Sequence, residues 1–145
     1  MKPQRYQLKE ITAPSEVEVL YPLVTQLRPN LQTVDEFIQC WQRQRQQGYC
    51  IIALYDKQVA VAMAGYRVEE NLAHGRFLYV DDLVTDQHVR SQGYGEQLLV
   101  FLRDQAIILG CKKIVLDTPL SNALGHRFYF RCNLLATSLR FAQTI

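Results

Sequence analysis

The chain has 145 residues, of which 48% are hydrophobic and 21% are charged, and its formal net charge is +2. This size and balance are typical of one globular domain, so we expect residues 1–145 to form a single domain. The small positive excess does not favour a nucleic-acid partner, and no stretch is long and apolar enough for a membrane helix. We therefore expect neither nucleic acid nor membrane among the partners.

Residues 1–5 read Met-Lys-Pro-Gln-Arg and lack the apolar segment of a secretory signal, which indicates a cytoplasmic location. The four cysteines, at positions 40, 50, 111 and 132, form no Cys-x-x-Cys pair and have no histidine at metal-ligand spacing. We therefore expect no metal site, and we interpret the cysteines as small buried hydrophobic residues.

The first third of the chain predicts one strand followed by helices. Tyr6–Ile11 alternates apolar and polar residues as a strand does. Ser15 should cap the helix that follows, and Pro22 should kink or split that helix. Thr33 and Glu36 have the spacing of a capping box, which predicts the start of another helix.

The middle of the chain predicts a meander of three antiparallel strands, Tyr49–Tyr55, Val59–Val68 and Arg76–Thr85. Asp56-Lys57-Gln58 would join the first two, although the usual Asn-Gly turn is missing. The polar segment Glu69–Arg76 is open to three interpretations: a lid, a dimer contact or a loop without function. The sequence also leaves open whether the chain forms a homodimer.

The last third predicts, in order, a helix over Glu96–Leu109, a buried strand over Lys113–Asp117, a helix from Ser121 or Asn122 to about Arg131, and a strand over Leu134–Phe141. Because a helix separates the strand over residues 113–117 from the last strand of the meander, these two strands should run parallel in a right-handed crossover. The element order therefore predicts an α/β (or α+β) domain with a mixed, mostly antiparallel sheet flanked by helices.

The loop Arg90-Ser91-Gln92-Gly93-Tyr94-Gly95 lies between a predicted strand and the strongest predicted helix. Glycine permits positive φ and lets a ligand approach the backbone closely. The free N–H groups and the dipole of a helix start favour an anion, and Arg90 adds a full positive charge. The loop therefore indicates a phosphate or pyrophosphate site, with a plain helix start as the structural alternative.

Two other glycine-loop classes fit the sequence poorly. A P-loop needs Gly-Lys-Ser/Thr, whereas Gly95 is followed by Glu96 and Gln97. A Rossmann fingerprint needs a third glycine or alanine where Leu98 stands, and it belongs near the first strand of a sheet.

Two further segments flank the glycine loop. Asp81-Asp82-Leu83-Val84-Thr85 precedes it at the end of a strand, and Asn122, Phe128 and Tyr129 follow it in a predicted helix. Together with Arg90, Gly93 and Gly95, these residues resemble the motifs of the GNAT superfamily of N-acetyltransferases. The resemblance covers the second half of the chain well, whereas the first half is similar only in element order.

The sequence departs from the family pattern at three places. Gly125 stands where alanine is frequent, Asn133-Leu134 stands where Gly-Phe is usual, and Gln87 replaces a proline. Asparagine tolerates the left-handed conformation that glycine supplies at a helix end, so we expect the backbone geometry to be kept.

The resemblance implies an N-acetyltransferase that transfers an acetyl group from acetyl-CoA to an amine, on a small molecule or a peptide, by direct attack. It implies that the two parallel strands splay apart and that the pantetheine arm lies between them. Backbone N–H groups from Gln92 to Glu96 would hold the pyrophosphate. The implied coenzyme A-binding residues are Leu83, Val84, Thr85, Arg90, Ser91, Gln92, Gly93, Tyr94, Gly95, Glu96, Asn122 and Arg131.

The resemblance also implies Tyr129 as the acid that protonates the departing thiolate, with a packed aromatic side chain as the structural alternative. Asp81 and Asp82 are the predicted bases. Adjacent residues of a regular strand point to opposite faces, so only one of them would face the acceptor unless a bulge re-aims them. Each could instead act through a water molecule, only attract a cationic amine, or lie on a solvated edge. For Asn122 the alternative is helix capping, and for Arg131 it is ordinary surface charge.

Three other functions remain as alternatives. The enzyme could use a longer acyl-CoA, or the chain could be a non-catalytic acyl-CoA-binding regulatory module. A nucleotide-phosphate binder of another fold is disfavoured by the missing lysine and third glycine.

Overall fold

The computed structural model describes residues 6–145, so the prediction based on residues 1–5 lies outside the described residues. The elements follow in the order β1 (Tyr6–Ile11), α1 (Pro14–Val19), α2 (Tyr21–Leu27), α3 (Val34–Arg45), β2 (Cys50–Asp56), β3 (Val59–Asn71), β4 (Gly75–Thr85), α4 (Tyr94–Ile108), β5 (Ile114–Leu116) and α5 (Ala123–Arg131). The chain forms two compact units, a larger one that ends at Val115 and a smaller one that comprises Leu116–Ile145. The expected single domain stays a prediction.

The helices near the N-terminus follow the local sequence signals with one exception. Pro22 lies in the first turn of α2, which begins two residues after α1 ends, so the predicted split is confirmed. The prediction for Ser15 is wrong, because α1 is capped at Ala13, and the Glu16 carboxylate accepts from the backbone N–H groups of Thr12 and Ala13. The Thr33 hydroxyl accepts from the backbone N–H of Glu36 at 3.0 Å, as predicted for the start of α3.

The five strands lie in the sheet in chain order. β1 to β4 pair antiparallel, and β5 lies parallel beside β4, which confirms the predicted mixed sheet. The β2–β3 hairpin turns through Lys57 and Gln58, both with positive φ although neither is glycine. β3 and β4 are longer than predicted: Asn71 pairs with Gly75, so most of Glu69–Arg76 is strand rather than loop.

The helices cover the sheet with apolar side chains. A buried cluster joins α1, α2 and α3 to β2 and β3, with Leu20, Phe37, Trp41 and Ile51 among its members. α4 contacts β2, β3 and β4 and buries Leu98, Leu99, Leu102 and Ala106, as its periodicity predicts.

The C-terminal part differs from the prediction. α5 is present, but residues 134–145 form neither helix nor strand, so the predicted strand over Leu134–Phe141 is wrong. A strand needs a neighbouring strand for its backbone N–H and C=O groups, and no described strand pairs with this segment. Its apolar side chains stay exposed, with Leu135 at 78% and Phe141 at 90%.

The cysteines also differ from the interpretation as buried residues, since all four are free thiols with half-buried side chains. Among residues 6–145, no helix is long and apolar enough to cross a membrane.

Candidate active site

A one-residue bulge in β4 sets the direction of the two adjacent aspartates. Opposite β3, Gly65 pairs with Asp82 and Tyr66 pairs with Val80, which leaves Asp81 as the extra residue. A bulge interrupts the alternation of side chains between the two faces of a strand. As a result both aspartates line one cavity, which is the outcome that the sequence allowed if a bulge interrupts the strand.

The cavity lies within the larger unit and has a volume of about 290 Å³. Residues of α2, α3 and β4, together with the segments that follow α2 and precede β2, line it. The lining residues include Arg28, Phe37, Trp41, Gln44, Tyr49, Asp81 and Asp82. The cavity thus combines aromatic walls with two carboxylates, an arrangement suited to a molecule with a cationic group.

The Asp82 carboxylate accepts two hydrogen bonds. The Tyr49 hydroxyl donates to it at 2.6 Å, and the Arg28 Nε donates to its other oxygen at 3.0 Å. Arg28 Nη2 also donates to the backbone carbonyl of Asp81 at 2.9 Å. Burial raises the pKa of the Tyr49 phenol well above its usual value, and the negative charge of Asp82 adds to the rise. The phenol therefore keeps its proton and donates it in the hydrogen bond to Asp82.

Gly65 makes room for Tyr49. A Cβ built at this glycine would lie 1.9 Å from the Tyr49 hydroxyl oxygen and 2.4 Å from the ring carbon that carries it. Glycine inside a strand often marks such a close approach. Because Gly65 is opposite Asp82, the Tyr49 ring crosses the strand at the glycine to reach the carboxylate.

Asp81 has a separate partner, Arg67, whose Nε donates to its carboxylate at 3.1 Å. Arg67 also donates to the Gln44 side-chain oxygen at 2.9 Å and lies 5.3 Å from the centroid of the Tyr49 ring. Burial raises the pKa of Asp81, and Arg67 opposes that rise. A carboxylate with a raised pKa is better matched to proton transfer near neutral pH than a solvated one.

The predicted phosphate loop has left-handed residues at alternate positions. Ser91 has φ +64°, and Gly93 has φ +82° and is the N-cap of α4 without a side-chain cap. Alternation of this kind aims successive backbone N–H groups into one concavity, which binds anions. A Cβ at Gly93 would have nothing within 4 Å, so the surface is open there. Arg90 and Gln92 are exposed beside it.

Helix α4 begins at Tyr94, two residues earlier than predicted, so Tyr94, Gly95 and Glu96 form its first turn. The Tyr94 side chain is buried and its hydroxyl donates to the buried Asp56 at 2.5 Å. The predicted contact of Tyr94 with the cofactor is therefore limited to its backbone N–H. The phenol instead anchors the start of α4 to the end of β2.

The segment between β4 and the glycine loop is attached to α2 through Gln26. The Gln26 side-chain N–H donates to the Asp86 carboxylate at 3.3 Å, and its oxygen accepts from the backbone N–H of Gln87 at 2.9 Å. One side chain of α2 therefore supports the entry to the predicted phosphate loop.

Leu83, Val84 and Thr85 lie at the carboxyl end of β4. On one side they pair with β3, Leu83 opposite Ala64 and Thr85 opposite Ala62. On the other side of β4, the Leu78 N–H donates to the carbonyl of Lys113 at 2.9 Å. The three-residue strand β5 begins at the residue after Lys113. Because the short β5 starts opposite Leu78, the last residues of β4 extend past it.

In the smaller unit, Asn122 caps α5. Its side-chain oxygen accepts from the Gly125 N–H at 3.2 Å, and its side-chain nitrogen donates to the Thr118 hydroxyl at 2.9 Å. A Cβ at Gly125 would lie 2.2 Å from the Asn122 amide nitrogen, which explains glycine where alanine is frequent. Capping, the structural alternative for Asn122, is thus observed, and its contact with coenzyme A stays a prediction.

Tyr129 lies in α5, half-buried, with its ring centroid 5.4 Å from that of Phe128. Burial, with a smaller effect of Cys132, raises the pKa of its phenol. Arg131 is exposed, with its guanidinium carbon 5.6 Å from the Phe128 ring centroid. Asn133 has φ +66°, so the expected left-handed residue at this helix end is confirmed.

Sequence reasoning missed three polar residues around the aspartates: Arg28, Tyr49 and Arg67. Arg28 and Tyr49 are separated from Asp82 by 54 and 33 positions, and no local pattern links such pairs. The one available signal was Gly65 within a strand, which indicates that another group passes close to the backbone.

The sequence profile of the acetyltransferase (GNAT) family matches residues 16–133. An uncharacterised N-acetyltransferase of Bacillus subtilis (strain 168), YhdJ, is 31% identical over 126 residues, which cover 84% of this chain and 86% of that protein. Among solved structures, an aminoglycoside N-acetyltransferase, AAC(6')-Iy, in complex with CoA matches with a TM-score of 0.85 over 99% of both chains, at 15% identity. A glucosamine-6-phosphate N-acetyltransferase from Arabidopsis thaliana matches with a TM-score of 0.76 over 97% of this chain and 99% of that one, at 21% identity.

The mixed five-stranded sheet, with a glycine turn at the start of α4, is the fold of these acetyltransferases. The chain belongs to the acetyltransferase (GNAT) family. The family match extends into the first half of the chain, where the sequence resemblance was limited to element order. It confirms the predicted enzyme class, an acyltransferase with acetyl-CoA as co-substrate.

Proposed function

We propose that the chain transfers the acetyl group of acetyl-CoA to the amine nitrogen of a small molecule or peptide, by direct attack in a ternary complex. One observation carries the proposal: the larger unit contains both an open glycine turn at a helix start and a cavity with two carboxylates. The turn suits the coenzyme pyrophosphate, and the cavity suits an amine that arrives protonated.

The donor is held mainly by backbone groups. Arg90 and the N–H groups from Gln92 to Glu96 bind the pyrophosphate. The part of β4 that extends past β5, Leu83–Thr85, offers its backbone to the pantetheine arm as a neighbouring strand would. A backbone N–H near Val84 polarises the thioester carbonyl. Asn122 and Arg131 are further contacts in this proposal.

The acceptor must lose a proton before it attacks, because an alkyl amine has a pKa of about 10.4. Asp82 attracts the ammonium group, and Asp81, with its raised pKa, takes the proton directly or through water. The nitrogen lone pair then forms a bond to the thioester carbon, the carbon–sulfur bond breaks, and the nitrogen releases its second proton to solvent as the neutral amide forms. Tyr129, whose raised pKa keeps the phenol protonated at neutral pH, gives its proton to the thiolate.

The test is thiol release from acetyl-CoA in the presence of a panel of primary amines, with the acetylated product identified by mass. Release without added amine measures hydrolysis and is subtracted. Turnover on at least one amine is expected. If acetyl-CoA binds and no amine is acetylated, the chain is a regulatory module that senses acyl-CoA. Longer acyl-CoA donors in the same assay test the acyl-chain preference.

The cytoplasmic location stays a prediction, and a homodimer stays one of the open alternatives.

A further inference from the structure

The two partners of Asp82 differ in how firmly they are held. Tyr49 is 5% exposed and lies in the buried cluster, whereas the Arg28 side chain is 45% exposed at the C-cap of α2. The Asp82 side chain itself is only 15% exposed. An exposed ion pair is weak, so Arg28 can leave at a small cost in free energy, provided that another cation takes its place.

Arg28 donates to the two acceptors that an ammonium group would use. Its Nε meets the Asp82 carboxylate and its Nη2 meets the Asp81 carbonyl, at 3.0 and 2.9 Å. An ammonium group has three N–H donors and can satisfy both. Asp81 keeps its own partner, Arg67, in either case. When Arg28 leaves, the cavity therefore has one net negative charge, which a single cationic group neutralises.

The aromatic wall indicates what the rest of the bound molecule contains. Trp41 is 2% exposed and lines the cavity, and within residues 6–145 its indole N–H has no hydrogen-bond partner. A buried donor without a partner is costly, so an oxygen acceptor from a bound molecule would stabilise it. The Trp41 ring already has a cationic neighbour, Arg45, whose guanidinium carbon lies 5.2 Å from the ring centroid, so the attraction for the ammonium group of an acceptor comes from the Asp82 carboxylate.

The cavity volume limits the size of the occupant. At about 30 Å³ for each water molecule, the volume of about 290 Å³ corresponds to roughly ten waters. The acceptor group that enters is therefore a small amine or the end of a longer side chain.

We propose that Arg28 is a specificity-determining residue of the acceptor site: its guanidinium group occupies Asp82 until the ammonium group of a small, oxygen-bearing amine replaces it. This inference rests on the proposed function, because it concerns the acceptor of the same reaction. The exchange makes and breaks no covalent bond: Arg28 moves into solvent with its charge, and the amine enters with its proton. Arg28 thereby disfavours amines whose cationic group cannot compete for Asp82.

Occupancy of the cavity can be measured without turnover, because Trp41 is the one tryptophan of the chain. The intact protein is titrated with 5-amino-1-pentanol, and its intrinsic fluorescence is recorded. Two matched probes are 1,5-pentanediol, which replaces the ammonium with a hydroxyl, and pentylamine, which lacks the hydroxyl. Wild type is compared with Arg28→Gln and with Arg103→Gln, which removes the same charge from an exposed position on α4, a helix that does not line the cavity.

We expect Arg28→Gln to bind 5-amino-1-pentanol about two- to fivefold more tightly than wild type, because the internal competitor is gone. Arg103→Gln should bind as wild type does. In both wild type and Arg28→Gln, 1,5-pentanediol should bind at least about tenfold more weakly, and pentylamine about two- to tenfold more weakly.

Equal affinity of wild type and Arg28→Gln for the amine would overturn the proposal, and so would equal binding of the amine and the diol or no binding at all. Acetyl transfer is assayed separately on the same proteins. If amines are acetylated but Arg28→Gln does not change amine affinity, the proposed function is kept and the proposed role of Arg28 is refuted. Amine binding that depends on Arg28, without turnover on any amine, would refute the catalytic function and keep the cavity assignment.

Discussion

Replacement of Gly65 by alanine should displace Tyr49 from Asp82. The new Cβ would lie 1.9 Å from the Tyr49 hydroxyl oxygen and within 2.5 Å of two ring carbons, far closer than van der Waals contact. Tyr49 is 5% exposed and belongs to the same close-packed cluster as Trp41, so its ring cannot move freely aside. We expect the 2.6 Å hydrogen bond from Tyr49 to Asp82 to break.

The expected cost has two parts. Loss of a hydrogen bond to a charged group lowers the free energy of unfolding by about 1.5–3 kcal/mol. Overpacking of a filled core adds about 1–3 kcal/mol, so the total should be about 2.5–6 kcal/mol. Since a native domain has about 5–15 kcal/mol in all, Gly65→Ala should still fold in dilute buffer but unfold at a much lower urea concentration. Urea denaturation followed by the fluorescence of Trp41 measures this directly.

The control is Tyr49→Phe, which removes the hydrogen bond but leaves the ring. It should cost about 1.5–3 kcal/mol, and the double variant should cost less than the two single effects together, because both single changes break the same bond. If Gly65→Ala lowers the free energy of unfolding by less than about 1 kcal/mol, the close crossing of Tyr49 over this glycine is not present in solution.

Three further predictions concern α4 and α5. Gly93→Val should abolish acetyl-CoA binding, measured by calorimetry. The control is Gly110→Val at the other end of α4, because Gly110 also has a positive φ and open space around its Cβ position. This control should strain the backbone to a similar degree and leave binding intact. Tyr94→Phe should lower the free energy of unfolding by about 1–3 kcal/mol in urea titrations, because it removes a buried hydrogen bond to Asp56. The affinity for acetyl-CoA should stay unchanged. A loss of affinity would show that the Tyr94 phenol has a role in binding. Tyr129→Phe should lower kcat by at least about tenfold. Burial raises the pKa of the Tyr129 phenol above its usual 10.0, and an acid acts only while it is protonated. In wild type, kcat should therefore fall with rising pH only above pH 10.0. An unchanged kcat in Tyr129→Phe, or a fall of the wild-type kcat below that pH, would exclude Tyr129 as the acid.

The parts of the fold that depend on local signals were predictable. Pro22 split the first helix, Thr33 capped α3, and the glycine loop led into α4 as expected. The predicted strand over Leu134–Phe141 failed because alternation shows only that a segment can form a strand. Whether it does so depends on a partner strand, which is a long-range property.

The candidate site was predictable in its backbone and not in its side-chain partners. Asp81 and Asp82 were identified, but their directions depend on a bulge that is visible only once β3 and β4 are paired. Arg28 lies 54 positions before Asp82, and Arg67 lies 14 positions before Asp81 on the neighbouring strand. An arginine carries no sequence pattern that distinguishes the partner of a carboxylate from a solvated charge.

Helix α2 is a shared support for both halves of the proposed reaction. Its C-cap is Arg28, which lines the proposed acceptor cavity, and two residues earlier it carries Gln26, which holds the segment that leads into the proposed phosphate loop. A displacement of this one short helix therefore acts on both sites at once. By thermodynamic reciprocity, if an acceptor that displaces Arg28 alters the affinity for acetyl-CoA, then acetyl-CoA must alter the affinity for that acceptor by the same factor. The coupling between the two substrates would then be a property of α2 rather than of either site alone.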